Sequence, residues 1–574
     1  MRSRIYSIVI NVAFLGILAG IFYLQILRWP LYHTLAKNNH IRLIPFPGLR
    51  GTIYDRNGLA MVDNRLSFDV VIIPQEVENS DRTYGGLANT LGISKSRVES
   101  IVKKEYIAPF APITIAGDVD KDLAFSIEER KQELPGVLVL PRTIRWYIYG
   151  ERAAHVIGYL GLINKAELDR LGDYGYSVSD LVGRSGIEKE YDRYLKGEDG
   201  GMQLEVDASG RLVRILGSKN QKKGRDITLT IDAKLQAYTA DCLEGKRASA
   251  VVMDPRTGDI LAMASSPSFD PNVFIEPGKN DVISGYMRSS STPMLNRTIN
   301  GQYPPGSIFK VILSLAGLET KKVSKHTTFV CSGTYFLGKR EFDCWKLTGH
   351  GPQDMRDALT HSCNVYFYNL GRKLGPDVIS DYAQRLGLNK PTGIDLSGEY
   401  GGLIPNPAWK KANRGQNWYE GETVNFSIGQ GDVLVTPLQM TEVAAIFAAE
   451  GSAPRPHLIK KIGDTEVTAQ KPRIIPMSND AVKFIKSAMV NVVESDTGTG
   501  QRARIPGLKI AAKTGTAQAP RGDPHAWFMG FAPADDPKLA FVVMVENGGH
   551  GGVAAADIAK KIIEFTKDNT DLLK

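Results

Sequence analysis

Several signatures are missing from this chain. It has no zinc-finger spacing, no P-loop and no basic block. Its net charge of +8 is modest for 574 residues and does not by itself argue for nucleic acid. It has no internal repeat and no long low-complexity tract, which sets repeat architectures aside. Cysteine is scarce, with Cys242, Cys331, Cys344 and Cys363 the only four. What remains is ordinary for a folded protein: 43% apolar and 23% charged residues, enough chain for two or three domains.

One long apolar run stands out, and no second matches it. Ile5 to Leu27 carries no charge and is interrupted only by polar residues such as Asn11 and Gln25. That length crosses a bilayer as a single helix. Arg2 and Arg4 precede it, which predicts a cytoplasmic N-terminus. A cleaved signal peptide is the alternative, but no A-x-A-like site follows the run. The rest of the chain is therefore expected outside the cytoplasm, where an anionic surface or membrane is the natural neighbour of a weakly basic protein.

Composition changes divide the remainder. Residues 30–50 form a polar, proline-broken exit. Arg50 to Gly58 reads as a strand entering a turn, with Asn57-Gly58 as the hairpin signal. Leu87 to about Glu105 reads as a helix, and Lys121 to about Glu133 as another with Asp120 as N-cap. Val137–Leu140 and Ile144–Tyr147 read as two short strands, and Gly183 to Gly197 as largely helical. A polar stretch at Lys219–Gly224 gives way to Ile227–Ile231, which sets a boundary near residue 225. Beyond it, Ala250–Met253 and Ile260–Met263 flank the turn Asp254–Asp259. Strands at Ile510–Thr516, Ala526–Phe531 and Leu539–Val545 precede a helix over Val553–Lys567. Strands at both ends with helices between predict an α+β layout with an antiparallel sheet and a helical middle.

Chemistry is concentrated in three short motifs. Ser307 and Lys310 are three residues apart after Tyr303-Pro304-Pro305-Gly306, at the start of an apolar helix. One helical turn places both side chains on one face. A serine hydroxyl needs a base to become a nucleophile, and a neutral lysine amine can serve. With a free pKa of about 10.4, that lysine must be desolvated or placed beside another cation. Ser362-Cys363-Asn364 follows, then Lys513-Thr514-Gly515-Thr516. In this reading Ser307 attacks an acyl carbon and Lys310 takes its proton. Ser362 passes the proton to a leaving amine. Asn364 holds the substrate backbone, and Lys513 supplies fixed positive charge near a substrate carboxylate. Thr514 and Thr516 donate to that carboxylate, and Gly515 lets the strand approach the substrate. Backbone N–H groups of Ser307 and Thr516 would form the oxyanion hole. Each motif alone is commonplace; the three in this order are not.

The order S-x-x-K, S-x-N, K-T-G resembles that of the penicillin-binding proteins and serine β-lactamases. With an N-terminal anchor and a long intervening segment, the chain resembles a class B penicillin-binding protein over nearly its whole length. Arg50–Gly58, His155–Tyr159, Gly186-Ile187-Glu188 and Tyr191-Asp192 resemble the family's pedestal motifs. Trp418–Glu422, Gly429-Gln430-Gly431 and Thr436-Pro437 resemble its catalytic domain. Cys344-Trp345-Lys346, Gly349-His350-Gly351 and the Trp418 segment resemble the elongation enzymes rather than the division enzymes.

The resemblance implies a penicillin-binding/β-lactamase-like transpeptidase domain, residues 226–574, on an elongated α+β pedestal, residues 28–225. A cytoplasmic tail, 1–4, and an anchor, 5–27, would precede them. It implies a peptidoglycan D,D-transpeptidase acting on D-Ala-D-Ala stem peptides during elongation and rod-shape maintenance. β-Lactams would acylate the same serine, and catalysis would need no cofactor. The implied location is the bacterial plasma membrane, single-pass, with the catalytic domain periplasmic. No second catalytic constellation precedes Asp226. The implied partners are therefore a polytopic SEDS-type glycosyltransferase and rod-complex scaffold proteins, with no nucleic acid. A D,D-carboxypeptidase, a β-lactamase-like protein and a catalytically silent scaffold are the alternatives. Arg145 and Glu188 are candidates to transmit a signal through the pedestal, with a plain salt bridge as the simpler reading.

Cys331, Cys344, His350 and Cys363 offer three thiolates and an imidazole, a closed tetrahedral zinc set. Some relatives resemble this in carrying zinc in the same loop. The competing reading is a Cys331–Cys344 disulfide with Cys363 free, since the compartment is oxidising. Asp343 would be a substitute ligand, and Cys242 a buried thiol. A metal on Cys363 would brace Ser362 and Asn364 without an open coordination position.

Overall fold

The structure is a computed structural model describing residues 2–30, 41–172, 175–177, 180–206, 212–468 and 470–573. The N-terminal helix Arg2–Phe22 runs into a wider turn, Tyr23–Leu27. Arg4–Leu27 has mean hydropathy 2.3 and, among the described residues, is covered by no other part of the protein. Such an unshielded apolar surface suits hydrocarbon. Part of the exit segment, 31–40, lies outside the described residues. Beyond it Ile41–Phe46 pairs with Gly200–Val206, which pairs with Leu212–Lys219.

The pedestal is built on the long strand Ala60–Ile72, whose neighbours are Ile53–Tyr54, Ile113–Val119 and Val137–Tyr147. The last is one continuous strand, not the two expected. Pro141 sits within it opposite Phe68, and it is tolerated because this is an edge strand whose missing N–H would face solvent. The single helix expected over Leu87–Glu105 is two, Ser80–Leu91 and Lys95–Glu105. Gly92 takes φ +67 at the end of the first, and the Ser94 side chain caps the second. Lys121–Glu129 begins as predicted, with Asp120 accepting from the Leu123 N–H. The segment 183–197 holds two short helices, Gly186–Glu190 and Asp192–Leu195.

A buried ion cluster ties these pieces together. Glu188 is fully buried and accepts from Arg145 Nε at 2.8 Å and Arg50 Nε at 2.7 Å. Arg50 reaches on to Asp192 at 2.5 Å, and Arg145 donates to the Gly51 carbonyl at 2.6 Å. Burial pushes the Glu188 pKa up, but the two guanidiniums more than offset it and hold the carboxyl below its ordinary value. Arg145 and Glu188 thus form the salt bridge that was the simpler reading, with Arg50 as a third member.

The pedestal sheet continues into the C-terminal part. Ile53–Tyr54 pairs in parallel with Ile227–Leu229, which pairs with Ile459–Ile462, and Thr465–Glu466 beyond it completes seven strands. Polar contacts reinforce the junction. Asn272 exchanges hydrogen bonds with the Tyr147 backbone at 3.0 and 3.1 Å, and Asp55 accepts from Ala233 N at 3.1 Å.

The C-terminal part holds a five-stranded antiparallel sheet. Its spatial order is Ile260–Ser266, Ala248–Met253, Leu539–Val545, His525–Ala532, Ala511–Ala517. Its strands are almost wholly buried, because strand alternation feeds two cores. Val251, Met529, Val542 and Met544 face helix Pro437–Ala448, all twelve residues of which are buried. Val252, Phe528, Phe541 and Val543 face the terminal helix, Ala554–Asn569, and Ala233–Cys242. The helical middle packs on the first face. The α+β layout is as predicted, and the Lys513 strand is the sheet's edge, open to the helical side.

Replacing Glu188 by Ala would leave Arg145 buried without a counter-charge and Arg50 with Asp192 alone. It should lower the unfolding free energy by about 3–5 kcal/mol, read from denaturant unfolding of the extramembrane part.

Candidate functional site

Ser307 sits in a tight turn, Gly306–Phe309, that leads into the helix Lys310–Glu319. The helix is apolar on nearly all sides and its first eight residues are buried. The serine itself is half-buried and reachable from solvent. Gly306 has φ +57, and a Cβ there would lie 2.7 Å from the Thr516 carbonyl oxygen. The turn is thus pressed directly against the Lys513–Thr516 strand. This places the Ser307 and Thr516 backbones side by side, as an oxyanion hole requires.

Lys310 is completely buried. Its Nζ donates to Asn364 Oδ1 at 2.7 Å and to the Ser362 carbonyl at 2.8 Å, and it lies 3.5 Å from Ser362 Oγ. Burial lowers its pKa to about 8. Two donated bonds satisfy a neutral amine and leave its lone pair to accept a proton. Lys513, also completely buried, donates to Ser362 Oγ at 2.8 Å. Burial, and then repulsion from Lys310, hold its pKa well below the ordinary lysine value. Lys513 thus stands beside Ser362, where the sequence places it.

Ser362 lies where both lysines converge. Its hydroxyl oxygen accepts from Lys513 and lies 3.5 Å from Lys310 Nζ, so its own hydrogen is free to point at a substrate. Its backbone has φ +57, rare for a non-glycine residue and a form of strain found at functional positions. The serine precedes helix Asn364–Leu374, and the left-handed turn aims its side chain back at Lys310.

Thr514 and Thr516 flank Gly515 on the edge strand. Thr514 Oγ1 lies 2.7 Å from Thr499 Oγ1, and Thr516 Oγ1 faces the Gly551 N–H at 3.4 Å. A Cβ at Gly515 would meet the Trp527 Cβ of the neighbouring strand at 2.9 Å and the Pro305 carbonyl at 3.0 Å, so the close packing of the Ser307 turn on this strand also calls for glycine.

The four proposed metal ligands also come together. Cys331, Cys344, Cys363 and His350 place their ligand atoms within 4.8 Å of one another. His350 Nδ1 lies 3.6 Å from Cys331 Sγ and 3.5 Å from Cys344 Sγ. Tetrahedral zinc, with Zn–S about 2.3 Å and Zn–N about 2.0 Å, sets sulfur and nitrogen about 3.5 Å apart, so the donor set fits that ion. All four cysteines of the chain are free thiols, so the disulfide is not formed. Asp343 is outside the cluster and accepts from Thr334 instead. Cys242 is half-buried.

Sequence reasoning missed Thr499, the Gly306 contact and the strain at Ser362. Only the glycine had a signal, in the Pro-Pro-Gly turn; the other two depend on contacts between distant segments.

Residues 248–564 match the family described as Penicillin binding protein transpeptidase domain, and residues 45–229 that described as Penicillin-binding Protein dimerisation domain. The chain is 36% identical to the peptidoglycan D,D-transpeptidase MrdA of Acinetobacter baumannii, over 98% of this chain and 87% of that protein. It is 32% identical to the Escherichia coli K12 protein of the same name, over 98% and 94%. Its fold is similar to the penicillin-binding protein PBP2 of Helicobacter pylori solved in complex with MreC. That match has TM-score 0.81 and 28% identity, covering 92% of this chain and 99% of that one. It is also similar to a chain from a peptidoglycan synthase complex that coordinates polymerization and crosslinking. There the TM-score is 0.76 at 30% identity, covering 98% and 97%.

Replacing Gly306 by Ala would force a Cβ into the Thr516 carbonyl at a positive φ. It should slow covalent modification of Ser307 by an acylating agent about tenfold or more, as a shift of the turn of up to about 1 Å would. Intact-protein mass spectrometry over time reads that rate.

Proposed function

The chain belongs to the penicillin-binding protein transpeptidases, and from that premise we propose that Ser307 is the residue acylated during its reaction. The protein is a serine-type peptidoglycan D,D-transpeptidase of the elongation type and a target of β-lactams. The observation that carries the assignment of roles is the convergence of Lys310, Ser362, Asn364 and Lys513 into one hydrogen-bonded chain beside the half-buried Ser307.

The donor stem peptide would lie along the edge strand Ala511–Ala517 as an added strand, its terminal carboxylate near Thr514, Thr516 and Lys513. Ser307 Oγ attacks the carbonyl carbon of the penultimate D-alanine while neutral Lys310 takes the hydroxyl proton. The oxyanion is held by the N–H groups of Ser307 and Thr516. The carbon–nitrogen bond then breaks. The departing D-alanine amine takes a proton from Ser362 Oγ, which is replenished from Lys310 across the 3.5 Å contact. An acyl-enzyme ester remains. An amine of a neighbouring stem peptide attacks it, giving its proton to Lys310, and Ser307 leaves with that proton. Asn364 keeps Lys310 aimed at Ser362 and offers its amide to the donor backbone.

We infer that the cysteine–histidine cluster holds one structural zinc. Four protein ligands leave no open position, so the ion would supply no Lewis acid to the substrate. It would tie the loop carrying Cys331, Cys344 and His350 to Cys363, and so fix Ser362 and Asn364 on either side.

We also read residues 1–4 as the tail, 5–27 as the anchor, 28–225 as the pedestal and 226–574 as the catalytic unit. The apolar helix makes this a candidate single-pass membrane protein. The arginines before it favour a cytoplasmic N-terminus and a periplasmic catalytic unit. Relatives are found with MreC and in a synthase complex. This supports a pedestal that docks a scaffold protein and a polytopic glycosyltransferase here. Rapid release of D-alanine without a cross-linked product would favour the carboxypeptidase reading instead.

Fluorescent penicillin should label the intact protein stably and Ser307→Ala not at all. An unlabelled wild type, alone and with its membrane partners, would contradict the assignment. Purified protein should contain about one zinc per chain by elemental analysis. The Cys331→Ser/Cys344→Ser variant should lose it, with a lower melting temperature and less penicillin bound; metal-free wild-type protein of full stability would remove the zinc.

A further inference from the structure

Among the buried charges of the catalytic unit that lie outside the proton-handling groups, Arg297 is fully enclosed. Its side chain has no exposure. A guanidinium in that position must be fully paired. Its Nε donates to Glu546 Oε1 at 2.8 Å, and its remaining nitrogens donate to the Ser291 and Thr292 carbonyls at 2.8 and 3.2 Å and to Thr292 Oγ1 at 3.0 Å. Glu546 follows directly on the strand Leu539–Val545. Its second oxygen binds Arg247 at 2.7 Å. Its first oxygen also accepts from the Tyr303 hydroxyl at 2.8 Å.

Tyr303 stands four residues before Ser307. Its backbone exchanges hydrogen bonds with Val435 at 3.0 and 2.9 Å, and its ring packs edge-on against Trp527 and His525. The Trp527 indole N–H donates to the Pro304 carbonyl at 3.0 Å, and Gly306 N–H to Gly429 at 3.0 Å. The approach to the nucleophile is therefore pinned on one side to the sheet, at Glu546 and Trp527. On the other side Gly306 abuts the Thr516 carbonyl, where there is no slack. The four-residue approach to Ser307 is thus bonded to the sheet through Tyr303 at one end and closely packed against Thr516 through Gly306 at the other.

We propose that the Tyr303–Glu546 hydrogen bond is a positioning contact that sets this spacing, and with it the oxyanion hole, while Arg297 and Arg247 hold the Glu546 carboxylate in place. The proposal rests on Ser307 being the acylated residue. Burial, then the adjacent carboxylate, raises the Tyr303 pKa far above its ordinary value. The hydroxyl is thus a permanent donor to Glu546 and not a proton carrier. Tyr303 acts through the Ser307 turn rather than on the substrate.

Full-length protein in detergent, acylated by a chromogenic penicillin at a series of concentrations, separates the maximal acylation rate from the half-saturating concentration. Tyr303→Phe removes only the hydroxyl. It should lower the maximal rate about 10- to 100-fold, as a small misplacement of reacting groups does, with the half-saturating concentration within about twofold. Hydrolysis of the acyl-enzyme, which uses the same hole, should slow by a similar factor. The melting temperature of Tyr303→Phe should stay within a few degrees. An unchanged maximal rate in Tyr303→Phe overturns the proposal. So does a reduced number of labelled molecules that react at the wild-type rate, which is the mark of a stability role alone. Absence of acylation in the wild type would instead overturn the assignment of Ser307, and this proposal with it.

Discussion

Two lysine side chains, both out of contact with water, converge on one serine hydroxyl. Much of this protein's architecture follows from that constraint. An ammonium removed from water loses several kcal/mol of hydration, and two in one dry pocket also repel each other. Lys310 and Lys513 are therefore held in a state where a proton is easily given up or taken back. Keeping them dry requires a helix, Lys310–Glu319, that is apolar on nearly every side, and a sheet whose faces are both covered. It also requires Ser362 in a left-handed conformation, since no relaxed strand or helix would bring its hydroxyl and carbonyl to Lys310 together.

The same logic of paired buried charge recurs at two other places. In the pedestal, Glu188 binds Arg50 and Arg145 and gathers three distant segments. In the catalytic unit, Glu546 binds Arg297 and Arg247 and joins the end of the sheet to the approach of the nucleophile. Buried ion clusters contribute little net stability compared with apolar packing, but their geometry is demanding. In both places they stand where a fixed distance matters more than a few kcal/mol. The shared seven-stranded sheet then makes the pedestal and the catalytic unit mechanically continuous, so a force on one strand is felt by the next.

Local signals were read well where one segment decides its own structure. The Asp120 cap, the Asn57-Gly58 turn, the apolar anchor and the paired strands of the catalytic sheet all appear as expected. The misreadings share a cause. Leu87–Glu105 has helical residues throughout, but the chain needs a turn at Gly92 to bring both helices onto the sheet. Pro141 argues for a break until one knows that its strand is an edge.

The sequence by itself determined the chemistry: a serine with a lysine one turn away, two further motifs in a telling order, four metal-type ligands and one membrane-length helix. These rest on residue type and short spacing, which do not depend on the fold. Tertiary structure decided what state those groups are in. Whether Lys513 is a charge or a dry amine, and which residues hold the Ser307 turn against the sheet, depends on atoms hundreds of positions apart in the chain. Desolvation and close contact are properties of the assembled interior, so no stretch of sequence carries them alone.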